Sequence, residues 1–91
     1  MQQKKFRVTD EDGIHARPAT ALVNTANKFK SEVFAEALGK KVTMKSILGV
    51  LSFGLEPGDE ITFIAEGEDE AQVIPALEEV FVKEGLGEVY E

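Results

Sequence analysis

The chain has 91 residues, of which 43% are hydrophobic and 30% charged, a balance typical of a folded domain and not of a disordered chain. The length suits one domain, and the net charge of −7 argues against binding to nucleic acid, whose phosphates attract clustered Lys and Arg. The absence of cysteine excludes disulfides and thiolate metal sites, and a single histidine argues against structural zinc, so we expect no metal or cofactor.

The first residues begin a strand and show no targeting segment. Residues 1–6 lack the apolar core of a signal peptide, and nowhere do 18 apolar residues run together. We therefore expect a cytoplasmic protein without membrane insertion. Phe6 and Val8 alternate with polar residues, which predicts a strand over about residues 3–9 with one buried face.

The single histidine, His15, lies at the start of the next predicted element. Apolar residues recur at spacings of three and four from Ala19 to Phe29, which predicts an amphipathic helix over about residues 16–28. His15 then lies at or beside the N-cap. Pro18 falls in the first turn, where its missing N–H does little harm.

This arrangement suits a histidine that carries a phosphoryl group. The N–H groups of Ala16 and Arg17 have no intrahelical partner, so they and the Arg17 guanidinium can meet a phosphoryl group on the ring nitrogen. The alternative is an exposed or capping histidine with no chemical role. A hydrolase that uses His15 is disfavoured, because the motif has no carboxylate to orient the ring and no acid-base pair.

The middle of the chain predicts a hairpin, a short helix and a further strand. Alternating residues indicate strands over residues 32–38 and 40–43, joined by a tight turn at Gly39. A short helix begins at Ser46, its natural N-cap, and ends near residue 54. A Pro-Gly turn then leads to a strand over residues 60–66.

The last predicted helix spans about residues 70–84 and contains an irregularity. Asp69 and Gln72 resemble a capping box at its start. Pro75 falls inside it and can kink it, because proline removes an interior hydrogen bond at a cost of roughly 3 kcal/mol. We expect residues 86–91 to form a flexible tail.

The element order βαββαβα predicts an α+β fold, with helices on one face of a mainly antiparallel, four-stranded sheet. The segment Gly13-Ile14-His15-Ala16-Arg17-Pro18-Ala19 closely resembles the active-site segment of HPr, the histidine-containing phosphocarrier family of the sugar phosphotransferase system. The element order also resembles the HPr fold, an open-faced β-sandwich in which three helices cover one face of the sheet. The resemblance covers essentially the whole chain and implies a single HPr domain over residues 1–91.

The resemblance implies a phosphocarrier. His15 is then the residue that accepts a phosphoryl group on Nδ1 from phosphoenolpyruvate by way of enzyme I, and passes it to the IIA domains of sugar permeases. Arg17, the Ala16 N–H and Pro18 complete the implied active site. Such a protein is a substrate of enzymes and not itself an enzyme. We expect a monomer, because a carrier must expose one face to successive partners.

The segment Lys45-Ser46-Ile47-Leu48-Gly49-Val50-Leu51 resembles the regulatory serine segment of HPr from low-GC Gram-positive bacteria. The resemblance implies that an ATP-dependent HPr kinase/phosphorylase phosphorylates Ser46, with Lys45 offsetting the added charge. The modified protein then acts as a corepressor for the catabolite control protein of the LacI repressor class. The alternative is that Ser46 only caps its helix.

The short helix has more apolar residues than it can bury on one side, namely Ile47, Leu48, Leu51 and Phe53. In HPr this helix and the histidine-bearing helix form one docking surface. The resemblance therefore assigns Ile47, Leu48 and Leu51 to partner binding, with Thr20 and Asn24 at the rim. Ordinary core packing is an equal alternative for each. Two other functions stay open: a regulatory protein that acts mainly through Ser46, and a phosphotransferase branch that regulates metabolism without moving sugar.

Overall fold

The computed structural model describes residues 1–90, and over these residues the elements follow the predicted order with one addition at the end. They are β1 (Gln2–Val8), α1 (Ala16–Ala26), β2 (Glu32–Ala37), β3 (Lys40–Thr43), α2 (Ile47–Leu51), β4 (Glu60–Glu66), α3 (Glu70–Lys83) and β5 (Gly87–Val89). The predicted α+β fold is confirmed.

The strands lie in the order β3-β2-β4-β1-β5, and each neighbouring pair is antiparallel. Within the described residues the sheet has five strands and not the predicted four, because residues 87–89 pair with β1 where we expected a flexible tail. Leu86 anchors this strand, since its side chain is fully buried and its carbonyl accepts the N–H groups of Thr9 and Asp10. Glu91, the last residue of the predicted tail, lies outside the described residues.

The core lies between one face of the sheet and the helices. Alternate side chains of β1, β2 and β4 are buried there, as the sequence pattern predicts. At its centre the ring of Phe6 lies 5.2 Å from that of Phe63 and 5.0 Å from that of Phe81, which joins β1, β4 and α3. Packing of aromatic rings at these distances stabilises a core beyond simple burial of area.

The predicted hairpin between β2 and β3 is confirmed, with a two-residue turn at Leu38 and Gly39. Both residues have positive φ, 52° and 77°, as a type I′ turn requires. Leu38 is an unusual residue at this position, because asparagine and glycine tolerate positive φ better.

The start of α3 corrects one prediction. Asp69 is the N-cap, but its side chain makes no bond to its own helix, so the predicted capping box with Gln72 is wrong. Its carboxylate instead accepts the N–H groups of Lys30 and Ser31, each at 2.9 Å, and the Ser31 hydroxyl. Farther along, α3 continues through Pro75, whose side chain is exposed.

These bonds keep the Asp69 carboxylate ionised. The Ser31 hydroxyl, followed by the Lys30 N–H, lowers the pKa of Asp69 to about 2, since each bond stabilises the charged form. In an unfolded chain an aspartate titrates near 3.9, a reference value, so the folded state binds this proton more weakly. The stabilisation is therefore present above about pH 4 and disappears as the pH falls towards about 2.

We expect Asp69→Asn to weaken the fold at about pH 7 and to reduce the loss of stability on acidification between about pH 4 and pH 2, because the titrating group is gone. Urea denaturation at several pH values measures both effects. Glu68→Gln, at the exposed neighbouring residue, should keep the wild-type pH dependence. Parallel pH profiles for wild type and Asp69→Asn would contradict the assignment.

Candidate functional site

The structure places His15 at the N-cap of α1, as predicted. Its backbone is extended, with φ −98° and ψ −174°, and its side chain makes no capping hydrogen bond. The residue is exposed, so its side chain is accessible to a partner. The helix starts with the Ala19 N–H, which donates to the His15 carbonyl at 2.9 Å.

Two backbone N–H groups lie between His15 and this first bond. Within residues 1–90 the N–H groups of Ala16 and Arg17 donate to no acceptor, and Pro18 has none to offer. The N–H groups of a first helical turn point along the axis towards the N-terminal end, where the helix dipole is positive. The exposed Arg17 guanidinium forms no ion pair with the described residues. An anion on the imidazole would therefore meet donors that no other described residue occupies.

The loop before His15 is held by a close contact between two backbones. Gly13 has φ +65°, and a Cβ atom built on it would lie 1.9 Å from the carbonyl oxygen of Leu55. Its N–H donates to the Asp10 carbonyl at 2.9 Å, and the following Ile14 is buried in the core. The chain thus turns from the interior to the surface within one residue, which leaves the imidazole outside.

The predicted docking residues differ in their exposure. Leu48 is 80% exposed and Ile47 37%, whereas Leu51 is half-buried and packs against the core. On α1, Asn24 is exposed and the Thr20 hydroxyl donates to the Ala16 carbonyl at 2.8 Å. Since α1 and α2 are in contact, Leu48 and Ile47 extend the surface of α1 with apolar side chains.

Ser46 is the N-cap of α2, as predicted, and its Oγ accepts the Gly49 N–H at 3.1 Å. The residue is half-buried. The Lys45 ammonium, which we expected beside Ser46, donates instead to the carbonyl of Phe29 at 2.9 Å. Sequence reasoning missed this contact because Lys45 and Phe29 belong to different loops.

Two surface depressions of the described residues lie away from the exposed His15. Two depressions of about 520 and 530 Å³ lie on the face of the sheet away from the helices, and both are lined by Lys5, Glu36 and Thr62. His15 lines neither of them. Within residues 1–90 no cluster of His, Asp and Glu side chains is arranged to hold a metal ion, and no helix is long and apolar enough to cross a membrane.

The chain is similar to known proteins over most of its length. A family model described as the phosphorylation site of the HPr component of the phosphotransferase system matches residues 2–83. The structure is similar to the histidine-containing phosphocarrier protein of Mycoplasma, with a TM-score of 0.92 and 35% identity over 94% of this chain and 98% of that one. It is similar to the phosphocarrier protein HPr of Bacillus anthracis, with a TM-score of 0.79 and 38% identity over 87% and 94%.

A third similar protein is named for a role in catabolite repression. The catabolite repression protein Crh of Bacillus subtilis, described as a dimer with a swapped domain, is 44% identical over 94% of this chain and 98% of that one, with a TM-score of 0.69.

The contact of Gly13 with Leu55 predicts that the loop before His15 tolerates no side chain at residue 13. We expect Gly13→Ala to lower the free energy of unfolding by about 2–5 kcal/mol, the sum of left-handed strain and a forced clash. Gly54→Ala is the matched control, because Gly54 has φ +63° but nothing within 4 Å of its Cβ position. It should cost only the strain, about 1–2 kcal/mol. Equal losses in urea denaturation would show that the close contact has no effect.

Proposed function

Because the chain belongs to the HPr family of the phosphotransferase system, whose members are phosphoryl carriers and not enzymes, we propose that His15 accepts a phosphoryl group from phosphoenolpyruvate by way of enzyme I. It then passes the group to the IIA domains of sugar permeases. The observation that carries this proposal is the exposed imidazole at the N-terminus of α1, beside two backbone N–H groups without partners.

The transfer moves one phosphoryl group without a cofactor. The neutral imidazole of His15 attacks the phosphorus of the phosphorylated donor through Nδ1, the atom implied by the family resemblance. The N–P bond forms as the bond from phosphorus to the donor breaks, and the electron pair leaves with the donor. The second transfer reverses these roles, with His15 as the leaving group and the IIA domain as the acceptor.

The site stabilises the transferred group without enclosing it. A protein-bound phosphoryl group has a charge of about −1.5 to −2, which the N–H groups of Ala16 and Arg17 and the Arg17 guanidinium partly compensate. Pro18 is buried and keeps the first turn in shape without adding a donor. Because water still reaches the site, the stabilisation is modest, and this suits a group that the next partner must remove.

Partners dock, in this proposal, on the surface formed by Thr20 and Asn24 of α1 and by Ile47, Leu48 and Leu51 of α2. Support comes from the exposure of Leu48 and Ile47, two apolar residues on a five-residue helix that contacts α1. Apolar side chains surrounded by polar ones are typical of the centre of a protein interface.

Phosphorylation of Ser46 by HPr kinase/phosphorylase is the proposed regulatory input, and it would make the protein a corepressor for the catabolite control protein. The 44% identity to Crh, a catabolite repression protein, supports this second role. The same observation favours a competing function, in which the protein acts mainly through Ser46. The exposed His15 beside unpaired donors favours the carrier.

We place this activity in the cytoplasm, where enzyme I and the kinase are expected, and propose that the carrier is a monomer. The swapped dimer described for Crh is the competing arrangement. A branch that regulates metabolism without moving sugar would use the same His15 chemistry, so the identity of the acceptor distinguishes the two.

Incubation with phosphoenolpyruvate and enzyme I should add one phosphate to the protein, measured as intact mass. The phosphate should be labile in acid and stable in alkali, because it is bonded to a ring nitrogen. His15→Ala should gain none, whereas Ser46→Ala should gain it normally. A folded wild-type protein that gains no phosphate from an active enzyme I would refute the carrier function.

Leu48→Glu should raise the Kd for enzyme I about tenfold, which corresponds to roughly 1.4 kcal/mol, because it places a charge at the centre of the docking surface. The urea midpoint should stay unchanged, since Leu48 is 80% exposed. Leu38→Glu makes the same change at the exposed β2–β3 turn and should leave the Kd as it is. Equal affinity of the Leu48 variant and wild type would remove this helix from the interface.

A further inference from the structure

The peptide group that joins Phe29 to Lys30 is hydrogen-bonded at both ends to charged side chains. Its carbonyl accepts the Lys45 ammonium at 2.9 Å, and its N–H donates to Oδ2 of Asp69 at 2.9 Å. A cation and an anion are thus joined through one planar, conjugated unit. Lys45 precedes α2, and Asp69 begins α3.

Such a peptide couples its two partners. Resonance links the carbonyl oxygen to the nitrogen, so a cation on the oxygen polarises the N–H and strengthens its bond to a carboxylate. Bonds to charged groups are the stronger class of hydrogen bond. The bond from the Lys45 ammonium is sheltered, because Lys45 is half-buried and Phe29 packs against the core, whereas the bond from the Lys30 N–H to Asp69 is exposed.

The other charged groups near Asp69 are engaged elsewhere or exposed. The Glu70 carboxylate binds the N-terminal ammonium of Met1 at 2.6 Å and the Gly67 N–H at 3.0 Å. Glu68 is exposed, as is the side chain of Lys30. Within residues 1–90 Lys45 forms no ion pair, so the Phe29–Lys30 peptide, and no direct contact, joins its ammonium to Asp69.

We propose that Lys45, the Phe29–Lys30 peptide and Asp69 form an electrostatic relay that connects the N-terminus of α2 with the N-terminus of α3. Its input is the charge at Ser46, the next residue after Lys45. A phosphate there competes with the Phe29 carbonyl for the Lys45 ammonium. When the ammonium leaves the carbonyl, the peptide is less polarised, and the bond from the Lys30 N–H to Asp69 becomes weaker. The input rests on the proposed phosphorylation of Ser46, whereas the relay does not.

The relay extends regulation beyond the docking surface. Asp69 also accepts the N–H of Ser31, directly before β2, and its own N–H donates to the Ser31 hydroxyl at 3.2 Å. In this proposal a change at Lys45 therefore reaches the loop after α1, the start of β2 and the start of α3 together.

A double-mutant cycle in urea tests the relay. Lys45→Met and Asp69→Asn should each raise the unfolding equilibrium constant by some factor. The factor for the double variant should be about fivefold smaller than the product of the two single factors, because the coupling between the residues is lost only once. Lys41→Met is the matched control, because Lys41 is an exposed lysine of β3 that lies over the Phe34 ring. For Lys41→Met combined with Asp69→Asn, the factor of the double variant should equal the product of the two single factors. The same result in the Lys45 cycle would mean that Lys45 and Asp69 are not coupled, and it would overturn the relay.

The input is tested by repeating the Lys45 cycle with Ser46→Asp, and with Ser46→Asn as an uncharged cap. The coupling factor between Lys45 and Asp69 should fall from about five towards one when residue 46 is Asp, and it should stay at about five when residue 46 is Asn. Persistent coupling in the Asp background would overturn the input at Ser46. Failure of the proposed phosphorylation is a separate result, namely no phosphate on Ser46 after incubation with ATP and the kinase.

Discussion

The helix that carries His15 is held at both ends by residues distant in sequence. At its N-terminal end the backbone of Gly13 rests against the carbonyl of Leu55, at a distance that leaves no room for a side chain. Beyond its C-terminal end the Asp69 carboxylate binds two consecutive N–H groups, those of Lys30 and Ser31. Because these contacts and the apolar face of α1 fix its position, its first turn needs no capping side chain. Within residues 1–90 the N–H groups of Ala16 and Arg17 therefore have no acceptor, as the proposed phosphoryl transfer requires.

The openness of the site agrees with a carrier. An enzyme that completes a reaction gains from a closed pocket, since water exclusion strengthens electrostatic stabilisation. A carrier must present the same group to a donor and then to an acceptor, and an exposed His15 at the N-terminus of α1, next to Arg17 in the chain, suits that requirement. In the proposed transfer, the remaining catalytic groups come from the partners.

Several features of the site were predictable from local rules. The spacing of apolar residues placed α1, and Pro18 and the glycine before the histidine placed His15 at its start. Ser46 was recognised as a helix cap from its residue type alone. Exposure along α2 was not predictable, because a five-residue helix has too few turns to define which face is buried.

The sequence by itself determined the order and nature of the elements, because strand alternation, helical periodicity and caps depend on residues within a few positions of one another. Only the tertiary structure decided what depends on contacts across the chain. It added β5, a three-residue strand too short for a periodic pattern, which approaches β1 because Gly87 has no Cβ to meet the Arg7 carbonyl. It also directed Asp69 to Ser31 and Lys45 to Phe29, since these partners are distant in sequence and come within hydrogen-bond distance only in the folded chain.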